Sequence, residues 1–464
     1  MPSRRAVLVA LTALAGCTDG SQSPESTGSP TRTPTGTGAG AETQAPTRTP
    51  TSDSVPVRWR HETPHDALDV VSLAPGPGGP AVYVGSDGGG QGADGHALHA
   101  LDLADGTEGW RVSLPTPAVT DPVYAEGESG PRVYVATRRS SDAAELYALD
   151  PSRGTRVWGF DAPERRRVYP LGATDRTVFV GTRDDDVERN GETIHALAAG
   201  DGHERWRVES GDALPTGHAV RRDTLLVRTP ARLRALDVTT GAERWRVDSP
   251  TVMYGPAVDS RGERVVVGDD GTVRALGLAD GDEQWRRDVD FSISGVTAPR
   301  AAMSTTVFVA DRTGRLLALS PLDGGTRWTL SVGGDGFRPH VVRTSERLFV
   351  GGPGVYALDP VSGERAWSFT PSSVDVRVHA STTAFAAVDR DRIHAFDPAN
   401  GTERWRFAPG SRLTEATTAG DLAFVGVGGT VYALDGSAVN EANGTSARER
   451  DEGSSRPAGS EPQS

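Results

Sequence analysis

All nine tryptophans of this 464-residue chain belong to one recurring phrase, and that phrase limits what the chain can fold into. Eight of them have an alanine ten residues upstream and a glycine four residues upstream. Ala100 and Gly106 precede Trp110, and the phrase recurs ending at Trp158, Trp206, Trp245, Trp285, Trp328, Trp367 and Trp405, at intervals of 38 to 48 residues. The ninth, Trp59, has no alanine phrase before it, while Val431-Tyr432-Ala433-Leu434-Asp435 has no tryptophan after it. A period near 40 residues means repeated supersecondary units, and such an array can take up the length of two or three ordinary domains as one closed body.

Within each unit, apolar and β-branched runs alternate with turn residues, as in Val133-Tyr134-Val135-Ala136, Leu146-Tyr147-Ala148-Leu149 and Val157-Trp158-Gly159-Phe160. These read as strands, and a weaker run before them brings the number to four per unit. With 56 glycines and 36% hydrophobic residues, the composition suits many short strands better than a large helical core. The expected class is all-β. Asp105-Gly106, Asp201-Gly202, Asp280-Gly281 and Asn400-Gly401 read as tight turns between third and fourth strands, where glycine takes positive φ without steric cost. Asp102, Asp150, Asp237, Asp359 and Asp397 stand just before these turns, placed to accept backbone N–H groups. Ala198, Gly277 and Ser320 replace them elsewhere, which argues against a catalytic role for these carboxylates. The alanine ten residues before each tryptophan is expected to leave space for the indole. In Glu204-Arg205-Trp206-Arg207-Val208, alternation sends Trp206 inward and both arginines outward, to guard a sheet edge or to meet a partner.

The ends carry a different message. Ser3-Arg4-Arg5 and the apolar run to Leu14-Ala15-Gly16-Cys17 read as an export signal over residues 1–16, too short to span a bilayer as a helix. The paired arginines resemble a twin-arginine motif, and Leu14 to Cys17 resembles a lipobox, whose cysteine becomes lipidated. Cys17 is the only cysteine, so no intramolecular disulfide or cysteine metal cluster can form within the chain. Residues 17–56, rich in Ser, Thr, Pro and Gly, are expected to form a disordered tether with a span of about 35 Å. Residues 437–464 read as a similar tail. A net charge of -13 excludes the basic stripe that nucleic-acid binding needs. All 49 basic residues are arginine, a bias that fits a salt-loving archaeon with a GC-rich genome; codon bias alone would give the same composition.

The Ala-x-Asp-x-x-x-Gly-x-x-x-Trp phrase resembles the tryptophan-docking repeat of pyrroloquinoline-quinone-type β-propellers, which include quinoprotein alcohol dehydrogenases and the outer-membrane assembly lipoprotein BamB. The resemblance covers residues 57–436 and implies one propeller of four-stranded blades. The unmatched ends are expected to complete one blade, an N-terminal outer strand carrying Trp59 joining three C-terminal strands, which removes the free edges of the ring. Counting that split blade gives nine; the resembling family normally has eight, which is the alternative.

For chemistry, the resemblance implies a quinone pocket, calcium and an aspartate base if the chain is a dehydrogenase. The alcohol dehydrogenases also carry adjacent cysteines over the cofactor, which Cys17 alone cannot supply. No catalytic residue and no metal ligand is assigned. The acidic run Asp184-Asp185-Asp186-Val187-Glu188 lacks calcium-loop spacing and reads as a solvated hairpin. His99, His195 and His394 share one third-strand position with Tyr147, Tyr356 and Tyr432, which points to blade packing or surface polarity, not to a unique metal site. Gly88-Gly89-Gly90 lacks the lysine of a phosphate loop. Asn400-Gly401-Thr402 and Asn443-Gly444-Thr445 are glycosylation sequons, the first doubling as a turn. The leading expectation is an exported, membrane-anchored propeller binding a protein or surface ligand through its loops. The alternative is a quinone- and calcium-dependent oxidoreductase of sugars or alcohols.

Overall fold

The computed structural model describes residues 55–438, apart from 64–66, 76–78, 88–95, 117, 119–121, 138–144, 163–166, 184–191, 212–216, 260, 298–305, 334–339, 372–375, 381–383, 389–390 and 415. The export signal, Cys17, nearly all of the tether and tail, Gly88 to Gly90, the acidic run at 184–188 and the Asn443 sequon lie outside these residues. Among the described residues every helix or strand is a strand: 36 of them, in nine four-stranded antiparallel sheets.

Eight sheets are each built from four consecutive strands. The ninth joins the two ends of the propeller. Its outer strand, β1 (Val57–Glu62), pairs with Thr430–Asp435, which is followed by Leu422–Val427 and Thr417–Ala419. The next sheet consists of β2 (Ala67–Pro75), β3 (Pro80–Asp87), β4 (His96–Asp102) and β5 (Glu108–Leu114) in that order. Trp59 stands opposite Ala433, as Trp110 stands opposite Ala100, so the two unmatched phrases complete one another across the chain ends. The protein is an all-β propeller of four-stranded sheets.

The indole is what joins sheet to sheet. Trp59 lies against Gly106 of the next sheet, Trp110 against Gly154, Trp158 against Gly202, and so on to Trp367 against Gly401. A Cβ at Gly106 would sit 2.5 Å from Cε3 of Trp59, and the glycine also holds φ at 74°. The indole N–H of Trp59 donates to Leu103 O (3.0 Å), that of Trp110 to Pro151 O (2.8 Å), and that of Trp405 to Asp435 O in the ninth sheet (2.8 Å). Trp328 lies against Gly363 in the same way, but its N–H has no acceptor among the described residues. A second-strand aromatic supports several of the indoles from within the same sheet: Tyr83 beside Trp110 (5.5 Å), Tyr134 beside Trp158 (5.7 Å), Phe179 beside Trp206 (5.8 Å).

This geometry fills in two expectations. The alanine ten residues upstream stands opposite its own tryptophan across the strand pair, and for eight of the nine indoles the following sheet makes space with a glycine; none lies against Trp405 among the described residues. The turn is also longer than a two-residue hairpin. Gly106 N–H donates to Asp102 O (2.9 Å) and Asp102 N–H to Thr107 O (2.8 Å), enclosing four residues with glycine in the left-handed position. Asp102 Oδ1 accepts from Ala104 N–H (2.8 Å), as its position suggested, and Asp237, Asp359 and Asp397 repeat the bond. The arginines flanking Trp206 divide. Arg205 reaches back to Thr177 Oγ1 of its own sheet (3.1 Å), as Arg244 reaches Thr224 and Arg327 reaches Thr306, while Arg207 stays exposed.

Candidate functional site

The third strand of each sheet offers one residue, just before the repeat alanine, that faces the gap between neighbouring sheets. In three sheets it is histidine. His99, on β4, is fully buried; its Nδ1 is 2.7 Å from Glu108 Oε2 and its Nε2 is 3.1 Å from Ser86 Oγ. His195 repeats this with Glu204 (2.7 Å) and Thr182 Oγ1 (2.9 Å), and His394 with Glu403 (2.8 Å). His394 Nε2 has no hydrogen-bond partner among the described residues; the second-strand residue matching Ser86 and Thr182 is Val388, which carries no hydroxyl. In these sheets the partner lies nine residues downstream, whereas Arg274, in the same slot of another sheet, donates to Asp269 (2.7 Å). When the slot residue changes, so does its partner: Arg156 sits over the Tyr147 ring (4.6 Å), and Arg234 Nε donates to Glu243 Oε2 (2.6 Å).

A bulge makes the pairing possible. Ala196 stands opposite Trp206, but a register shift sets Leu197 opposite Glu204. Without it, Arg205 would face Leu197 and Glu204 would fall on the other side of the sheet. Because Leu197 shares a face with His195, the shift delivers the carboxylate to the imidazole. The same shift recurs between Ala100 and Leu101 and between Ala395 and Phe396.

The preceding sheet contributes the residue two after its tryptophan. This is Phe160 against His195 (5.1 Å), Phe369 against His394 (4.8 Å) and Phe407 against Tyr432 (5.3 Å). At His99 it is His61 of β1, with ring centroids 6.2 Å apart. His61 Nε2 is 3.6 Å from Glu108 Oε2, and ligand atoms of His61, His99 and Glu108 all lie within 4.8 Å of one another. Burial holds the His99 pKa below the usual imidazole value, against the opposing pull of Glu108. The cluster brings together two imidazole rings and one carboxylate.

The sequence reading placed His99 at a packing or surface-polar position and assigned no metal ligand. Packing describes His195 and His394, each closed off by a phenylalanine. His99 is buried in the same slot, but the ring beside it is His61, which the sequence reading does not single out. The available signal was its place two residues after a tryptophan, where Val112, Phe160, Val208, Val247, Leu330, Phe369 and Phe407 are apolar and only His61 and Arg287 are not. Asn400 serves the turn, accepting from Thr402 N–H (2.9 Å). The nine tryptophans are all structural, at the interfaces already described.

Among solved structures the chain is similar to BamB from Moraxella catarrhalis, at 20% identity, covering 67% of this chain and 93% of that one with a TM-score of 0.46. It is also similar to quinohemoprotein alcohol dehydrogenases. That from Comamonas testosteroni is 14% identical, covers 68% of this chain and 74% of that one, and has a TM-score of 0.44. ADHIIG from Pseudomonas putida HK5 is 12% identical, with 90% and 81% covered and a TM-score of 0.47. No curated protein matches the sequence. Residues 57–183, 190–352 and 351–454 match one family model, and by this match along the propeller the chain belongs to the family of the outer membrane protein assembly factor BamB.

Proposed function

We propose that this chain is an exported, lipid-anchored propeller that holds a protein or other surface ligand on the loops joining its blades. The observation that carries the reading is the match to an assembly-factor family over the length of the propeller, since assembly requires contact with what is assembled. The repeat geometry supports it. Tryptophan and glycine hold sheet to sheet, and turn aspartate and slot pair are engaged within their own sheets, so specificity falls to the loops, which differ from unit to unit. The ring is proposed to act as nine blades rather than the family's usual eight, a reading supported by Trp59 and Trp405, whose indole N–H groups donate to Leu103 O and Asp435 O and so tie the terminal sheet to both neighbours.

Anchoring through Cys17 rests on the lipobox resemblance and the apolar run before it. Cys17→Ser is expected to move the protein from the membrane fraction to the soluble one; unchanged membrane retention would sink the anchor. For the binding role, proximity labelling from the anchored chain is expected to enrich one surface complex reproducibly. A diffuse profile matching an unrelated lipoprotein would count against it. So would a bound chromophore with dye reduction after incubation with pyrroloquinoline quinone and calcium, the outcome that identifies an oxidoreductase.

A further inference from the structure

We propose that His61, His99 and Glu108 form a binding site for one divalent transition-metal ion of the zinc class, set across the seam where the terminal sheet meets the first consecutive one. Two imidazoles and one carboxylate are a donor set that suits zinc, with remaining positions for water. His61 comes from β1, and His99 and Glu108 come from β4 and β5, so an ion here ties the N-terminal strand to its neighbouring blade.

The geometry needs little adjustment. Zinc bonds of about 2.0 to 2.1 Å place ligand atoms roughly 3.3 Å apart. His99 and Glu108 are already closer than that, and His61 has to approach by up to about 1.5 Å from within the 4.8 Å cluster. The side chains of His61 and Glu108 are 19% and 34% exposed, which leaves them able to shift and lets water reach the ion. Arg111 stands opposite His99 across the strand pair, and its charge opposes the ion; the Glu108 carboxylate offsets it.

The surroundings of His99 also suit a ligand. A carboxylate oxygen only accepts, so without an ion Nδ1–H donates to Glu108 and the Ser86 hydroxyl donates to Nε2. An ion that takes the Nδ1 lone pair moves the proton to Nε2, which then donates to Ser86 Oγ. The hydroxyl serves either tautomer by rotating, and it holds the ring in the orientation that the ion requires. His195 and Thr182 share this arrangement, but Phe160 stands where the second imidazole would be needed. The three-ligand set therefore occurs at this seam, and the His195 and His394 pairs serve as internal controls.

The test uses the full chain, stripped with chelator and titrated calorimetrically with zinc chloride. The expected result is one zinc per chain, together with a zinc-dependent rise in the thermal midpoint. His61→Phe places at the seam the residue that Phe160 and Phe369 occupy in folded sheets. It is expected to keep the fold by circular dichroism, lose the zinc-dependent rise and weaken binding by at least about 100-fold, beyond what losing an outer hydrogen-bond partner costs. Glu108→Gln should weaken binding as well, while His195→Tyr should leave it intact. Zinc binding by His61→Phe equal to that of the unaltered chain would overturn the proposal, as would no binding by the unaltered chain, or a loss in His195→Tyr as large as in His61→Phe.

Discussion

Gly241 carries two demands at once: its φ is 72°, and a Cβ would lie 2.6 Å from Cε3 of Trp206 in the preceding sheet. Gly241→Ala therefore meets both backbone strain and overpacking, and it is expected to destabilise by about 1 to 3 kcal/mol. The comparison is a residue on the same turn. Asp237→Ala removes a half-buried carboxylate that Arg244 holds near pKa 2, and it should lower the urea midpoint less than Gly241→Ala does. Equal effects would mean that the indole yields freely. The need for glycine was legible from its fixed place before each tryptophan. The neighbour that imposes it was not, because Trp206 belongs to the previous repeat. Glu192 sets a second expectation. It is buried on the strand Glu192–Ala198, and burial pushes its carboxyl up to about 9. The unfolded chain releases this proton from about pH 4.5 upward while the folded chain keeps it, so this group's contribution to stability falls as pH rises from there toward 9. Glu192→Gln should flatten that decline between pH 5 and 8; parallel urea-midpoint profiles for the two proteins would refute the shift.

At the scale of the strand pair, the slot residue and its partner nine positions downstream act as a unit. His195 with Glu204 and Tyr147 with Arg156 fill the same place with different chemistry. Transplanting one pair into the other's sheet tests this. His195→Tyr and Glu204→Arg are each expected to destabilise when made alone, since each leaves a mismatched partner at a buried seam. Together they should recover part of the loss, with a coupling of about 0.5 to 3 kcal/mol in a double-mutant cycle. Additive losses would show that the two side chains are independent. The recurrence of histidine and tyrosine in this slot is visible in the sequence, and of its two readings, packing or surface polarity, the buried His195 and His394 fit the first. Strict alternation, however, puts Glu204 on the wrong side of the sheet, and only the bulge after Ala196 brings it round. A bulge leaves no mark in composition or in period, so the pair, and with it the His61, His99 and Glu108 cluster, became visible only with the register.

For the molecule as a whole, the question is whether the terminal sheet is a true member of the ring or a frayed end. In an open array a terminal unit is held by one neighbour and can open by itself; in a ring every sheet has two. The four-strand repeat and the joining of the chain ends were legible because two incomplete phrases, at Trp59 and Ala433, complete each other. Trp59 and Trp245 then offer a matched pair. Both indoles are buried to a similar degree, both lie against a left-handed glycine, Gly106 or Gly281, and both donate to a backbone carbonyl, Leu103 or Leu278. If the ring unfolds as one body, Trp59→Ala and Trp245→Ala should each cost about 3 to 5 kcal/mol and shift the urea midpoint alike. An end that frays by itself would make Trp59→Ala nearly silent in global unfolding and would show fast amide exchange confined to β1 and Thr430–Asp435. Equal shifts, with exchange in those two strands as slow as in β4, would establish that the seam is as strong as any other interface in the ring.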